Sequence, residues 1–176
     1  MLKIRPWMVV LPALLVLISI PVLSRYPLRL LTVENEDQEI LYMRAVDLGD
    51  RYAVRFTHSV ARRPVDEIYE VDEDCSKLIE TVYDMMGAGL PHAPEAGQTF
   101  TVKDGRYHIT GFNLKIPVLT YRISKVVADH RFLIDGKDYK LLDWTKPGRP
   151  LTFRVQWGTL GNLISFKYHH LFSKGE

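Results

Sequence analysis

Between Arg29 and Gln156 a period-two alternation of apolar and polar residues keeps returning, and it, rather than the apolar spacing of three and four, is the pattern that organises the chain after Arg25. Successive side chains of an extended chain point to opposite faces, so this alternation specifies half-buried strands. The strands it predicts are Arg29–Val33, Glu39–Ala45, Tyr52–Val60, Val65–Val71, Lys77–Tyr83, Thr99–Lys103, Arg106–Thr110, Pro117–Ile123, Val126–Ala128, Arg131–Ile134, Tyr139–Leu142 and Leu151–Gln156. Leu48-Gly49-Asp50, Asp104-Gly105, Asp135-Gly136 and Lys146-Pro147-Gly148 supply the positive or locked φ that tight reversals between them need. The expected fold is all-β, a single antiparallel sandwich or a partly open barrel. A chain of 176 residues holds one such domain with an appendage, and is too short for separate cofactor and substrate domains.

The appendage is N-terminal. Trp7 to Leu23 is seventeen residues without a charge, apolar except at Pro12, Ser19 and Pro21. As a helix it would be roughly 25 Å long against a bilayer core of about 30 Å, so it reaches across only at the short limit. Residues 1–24 contain Lys3 and Arg5 and no acid, and the other 152 residues balance 21 bases with 21 acids, so the whole net charge of +2 sits there. The positive-inside bias then keeps the N-terminus cytoplasmic and places the body outside the membrane. The same layout describes a signal peptide cleaved after Ser24, which would make the body secreted or periplasmic. The expected organisation is an anchor or signal peptide over 1–24, a tether over 25–36, an extracytoplasmic β domain over 37–168 and a flexible tail over 169–176.

Cys75 is the only cysteine, so no internal disulfide supports the domain. There is no basic run of the kind that follows a phosphate backbone, which argues against nucleic acid. No two of His92, His108 and His130 have the close spacing of a zinc site, and Asp72-Glu73-Asp74 lacks the alternation of a calcium loop. Neither a metal nor a cofactor is therefore expected, and no residue is nominated as catalytic.

The most informative segment is Tyr52–Val71. Tyr52, Val54, Phe56, His58 and Val60 share one strand face. A four-residue turn Ala61-Arg62-Arg63-Pro64 would oppose Val60 to Val65, His58 to Glu67 on the inner face and Arg55 to Glu70 on the outer, with opposite charges meeting. His58 and Glu67 would then bond to each other or line a pocket, because an unpaired buried carboxylate costs several kcal/mol. Ser59 points to the opposite face and cannot be a nucleophile activated by His58. Met86-Gly87-Ala88-Gly89-Leu90-Pro91 reads as a glycine-rich corner between sheets or as an anion nest beside Arg62 and Arg63.

The run Phe56-Thr57-His58-Ser59-Val60, then Arg63-Pro64-Val65, Glu67, Glu80 and Gly87-Ala88-Gly89-Leu90-Pro91, resembles the domain of unknown function 1850 family over roughly residues 39–156. The chain departs from the simplest pattern in its basic turn Ala61-Arg62-Arg63 and in its extension after Gln156. The resemblance implies a small exported or membrane-anchored protein associated with tripartite ATP-independent periplasmic (TRAP) transporters of the TAXI type, with no established activity. The expected function is that of a membrane-tethered accessory domain touching a TRAP transporter subunit or its solute receptor. The contact rim would be Arg62, Arg63 and Gly87 to Pro91, and the candidate ligand- or partner-binding residues together are His58, Ser59, Arg62, Arg63, Glu67, Gly87, Ala88, Gly89, Leu90 and Pro91. One alternative is a binding module for a small organic anion, with Arg63 and the loop N–H groups holding a carboxylate. The other is a hydrolase with His58 as base and Glu67 orienting it.

Overall fold

The computed structural model describes residues 21–85, 93–124 and 128–172. The chain divides into two compact units, Leu30–Gln156 and a second made of Met1–Arg29 with Trp157–Glu176. The alternating pattern forms β1 (Pro27–Glu34), β2 (Ile40–Ala45), β3 (Arg51–Thr57), β4 (Pro64–Val71), β5 (Ser76–Tyr83), β6 (Thr99–Lys103), β7 (Arg106–Ile116), β8 (Leu119–Arg122), β9 (Arg131–Ile134), β10 (Lys137–Lys140) and β11 (Pro150–Thr159). They build two separate sheets, ordered β2-β1-β11-β8 and β10-β9-β3-β4-β5-β7-β6, so the fold is sandwich-like rather than a barrel. β1–β2, β3–β4, β4–β5, β6–β7 and β9–β10 pair as antiparallel hairpins. Asp104-Gly105 and Asp135-Gly136 each have φ positive at both residues, the twist that a two-residue hairpin requires.

Of two buried clusters among the described residues, a smaller one forms around Val65, Tyr83 and Ile109, and the larger lies between the sheets. Leu31 and Val33 of β1 and Leu151, Phe153 and Val155 of β11 meet Tyr52, Val54, Tyr69, Phe132 and Ile134 of the larger sheet. Phe132 is its hub, with ring centroids 5.2 Å from Tyr42, 5.3 Å from Phe153 and 5.7 Å from Tyr52, all edge to face. Such pairs add about 0.5–1.5 kcal/mol each beyond the area they bury.

Several boundaries differ from the expectation. β3 stops at Thr57 instead of Val60, β7 runs on to Ile116, and a 3-10 turn at Leu141–Asp143 replaces the end of the strand expected over Tyr139–Leu142. Residues 125–127 lie outside the described residues, and Ala128 is not in a strand. Most of the expected tether is strand β1, in which Leu30, Leu31 and Val33 are buried. The chain after Thr159 forms helix α1, Leu160–Phe172, where a strand-rich body and then a tail were expected. Its start is a reciprocal cap: Asn162 N–H donates to Thr159 Oγ1 at 3.2 Å while Thr159 N–H donates to Asn162 Oδ1 at 2.8 Å.

Among the described residues no helix is long and apolar enough to cross a membrane. The expected anchor over 1–24 lies outside them except at 21–24, which are helical. Replacing the Phe132 hub by alanine should lower the unfolding free energy by about 3–5 kcal/mol, read from the urea midpoint at unchanged slope. A loss below 1 kcal/mol would show that the two sheets do not depend on this contact.

Candidate functional site

The β3–β4 hairpin has a six-residue loop, closed by His58 N–H donating to Arg63 O at 2.9 Å and Arg62 N–H donating to His58 O at 2.8 Å. Thr57 therefore faces Pro64, Arg55 faces Asp66, Val54 faces Glu67 and Arg51 faces Glu70. The expected register is wrong by four residues. A slip of four keeps every side chain on its face, and Arg51 and Arg55 are spaced like Asp66 and Glu70. Charge matching on alternate residues consequently excludes odd slips and tolerates this one. The observed register forms two ion pairs where the other forms one: Arg51–Glu70 at 3.1 Å, and an Arg55 fork on Asp66 at 2.5 and 2.8 Å. Arg106 adds a third donor to Asp66 at 3.1 Å. Burial pushes the Asp66 pKa up, and the Arg55 and Arg106 guanidiniums outweigh it, leaving the group below the ordinary carboxylate value.

His58 and Glu67 are thus not partners. His58 lies in the loop, where its Nδ1 accepts the Ala61 N–H at 3.2 Å. In the neutral ring this puts the proton on Nε2. Ser59 and Arg62 are exposed, and Arg62 holds a left-handed φ of 51°. Arg63 grips Asp84 with two bonds of 3.0 and 2.5 Å, which ties the loop to the end of β5. Gly87 to Pro91 follow directly but lie outside the described residues.

Glu67 points inward, to the seam between the sheets. Its Oε2 accepts the hydroxyl of Tyr69 from its own strand at 3.0 Å and that of Tyr121 from β8 of the other sheet, and the two hydroxyl oxygens are 2.6 Å apart. Burial first, and then the Glu67 charge, pushes the Tyr69 hydroxyl pKa far above its ordinary value. For Tyr121 the order is burial, Tyr69, then Glu67. Both hydroxyls therefore keep their protons and act as donors. The His130 ring stands 5.7 Å from Tyr121 and 6.0 Å from Phe56, and its buried Nδ1 has no partner among the described residues. Burial pushes the His130 pKa down against a small opposing pull from Asp129, so its neutral form is favoured.

The residues that sequence reasoning missed are Tyr69, Tyr121 and His130. A second pair it did not foresee lies on the outer face, where His108 Nδ1 is 2.6 Å from Glu80 Oε1. No group of three or more His, Cys, Asp or Glu side chains that could hold a metal ion occurs among the described residues. Cys75 is buried, and burial pushes its thiol pKa up, which suits an inert position.

These features define a sandwich-like domain whose two sheets are bridged by a carboxyl–tyrosine cluster and whose β3–β4 loop is exposed and basic. The family model described as Domain of unknown function (DUF1850) matches residues 52–141, from β3 to just past β10, and the chain belongs to that family. No curated protein and no solved structure matches it.

Removing one donor to Glu67 with Tyr121→Phe should cost about 1–3 kcal/mol of stability by chemical denaturation, because the carboxyl loses a partner from the opposite sheet. An unchanged midpoint would show that the cluster does not join the sheets. Acid should act in two windows. His130 has a folded pKa below its ordinary 6.5, so the unfolded chain binds the proton first and stability falls once pH drops below 6.5. Asp66 has a folded pKa below its ordinary 3.8, and its contribution is present above that value and lost as pH falls through the folded pKa. His130→Leu should abolish the first loss and keep the second; a profile that keeps both would assign the first to another group.

Proposed function

We propose that this protein is a membrane-tethered extracytoplasmic accessory domain that works by contact with a component of a TRAP-type solute transporter. The observation that carries the contact reading is the rim around the β3–β4 loop. Val60 is 67% exposed and Met85 45% exposed, and Ser59 and Arg62, on the same loop as Val60, are also exposed. The Arg63–Asp84 fork holds the loop in place, so a partner would meet a preorganised apolar and basic edge. The tether reading draws on the uncharged run Trp7–Leu23 behind Lys3 and Arg5.

The two alternatives have less support. An organic anion held by Arg63 has to share the guanidinium with Asp84, which already takes two of its five N–H donors and offsets its charge. A hydrolase needs His58 and Glu67 in one hydrogen-bond system, and they belong to two.

Val60→Asp and Arg62→Glu alter only exposed side chains, so each should leave the thermal midpoint within about 2 °C of the parent. Each should lower recovery of transporter subunits when the tagged full-length chain is purified from gently solubilised membranes. Recovery of no transporter component by the parent chain would remove this reading. Equal recovery by both variants would move the contact away from this rim.

A further inference from the structure

The unit made of Met1–Arg29 with Trp157–Glu176 differs from the β unit in both charge and surface. It has six Lys and Arg residues and a single acid, Glu176, whereas Leu30–Gln156 has 17 bases and 20 acids. Its described residues contain no acid at all. They also expose large apolar side chains: Val22, Leu23 and Tyr26 before β1 enters the sheet, Trp157 at the end of β11, and Ile164, Tyr168 and Leu171 on α1.

The last three recur at i, i+4 and i+7, so they form one stripe along the helix, and they are 56%, 61% and 76% exposed. A different side of α1 is the covered one, where Leu163 is buried. The helix starts against the segment that follows the uncharged run. Leu160 N–H donates to Tyr26 O at 3.0 Å, and a Cβ on Gly161 would come within 2.9 Å of Ser24 O, so glycine permits this approach. The Arg29 guanidinium lies 4.7 Å above the Trp157 ring.

A stripe of aliphatic side chains, aromatic residues with polar tips and cations without acids match the three layers of a membrane interface: acyl chains, headgroup boundary and anionic phosphate. Trp7–Leu23 ends at Leu23, next to the Ser24 that Gly161 touches, so a bilayer holding that run would stand where α1 begins.

We propose that α1 lies in the plane of an anionic bilayer surface, with Ile164, Tyr168 and Leu171 turned into the lipid and Arg25, Arg29 and Lys167 toward the phosphates. The C-terminal helix is then a second membrane contact beside the N-terminal run. This rests on the tethered reading above, because the uncharged run brings α1 to the lipid.

Nitroxide labels placed singly at Ile164→Cys, Leu171→Cys, Ser165→Cys and His169→Cys in the full-length chain test it, with the unsubstituted chain as control for the buried Cys75. The labelled proteins are reconstituted into phosphatidylcholine vesicles with and without phosphatidylglycerol, and collisions with oxygen and with a water-soluble nickel chelate are compared. With phosphatidylglycerol present, oxygen should exceed nickel at 164 and 171 and nickel should exceed oxygen at 165 and 169. That contrast should shrink in phosphatidylcholine alone.

Nickel access at 164 and 171 equal to that at 165 overturns the proposal. So does shielding of 164 and 171 from both probes, which would mean that a second copy or another protein covers the stripe. A contrast of the same size in both vesicles overturns the anionic-lipid assignment. A further label at Ala13→Cys separates the two readings: lipid-exposed at 13 with aqueous 164 and 171 sinks the helix proposal alone, and aqueous at 13 sinks the tether.

Discussion

Phe132, Tyr52 and Phe153 hold the two sheets face to face, and the meeting of Glu67 with Tyr121 across the seam depends on that contact. Sheets with one apolar face have no stable existence apart, and here the apolar faces of β1 and β11 find their only large complement in β3, β4 and β9 within the described core. The aromatic rings set the spacing between the layers. Once that spacing is fixed, Tyr121 on β8 and Glu67 on β4 come within hydrogen-bond reach, although 54 residues separate them in sequence.

That seam places a carboxyl among apolar residues, and it does so without leaving the group unpaired. Hydroxyls from both sheets supply what water would otherwise supply, so the cluster adds directional bonds to a core that dispersion alone would leave free to slide. The outer face of the same sheet uses a different device. Arg55, Asp66 and Arg106 form a three-membered ion network across β3, β4 and β7, and His108 with Glu80 forms a second pair. Polar groups on both faces thus pin the register that the apolar residues tolerate in several forms.

The β3–β4 hairpin shows how much could be read from the residues and where the reading failed. Its two strands, their faces and the inward direction of Glu67 were all legible, because period-two alternation assigns faces without knowledge of partners. The pairing was not legible, since basic and acidic residues repeat at the same spacing of four and no local pattern fixes the loop length. With the six-residue loop, His58 leaves the strand and Glu67 turns to tyrosines that no local pattern connects with it. Helix α1 was missed for another reason: β11 runs into it without a loop, and its apolar stripe is short. The Thr159 to Asn162 cap and the spacing of Ile164, Tyr168 and Leu171 were its visible signals.

By itself the sequence determined the all-β class, the glycine turns, most strand positions, the charge asymmetry of the N-terminal segment and a family resemblance that the family match then bore out. These are properties of neighbours along the chain, and local sterics and periodicity suffice for them. Only the tertiary structure decided the register, the two-sheet arrangement, the partners of Glu67 and the meeting of Ser24 with Gly161. Each of these depends on which distant segments share a surface, and burial energy is decided by the whole core at once rather than by any stretch of it.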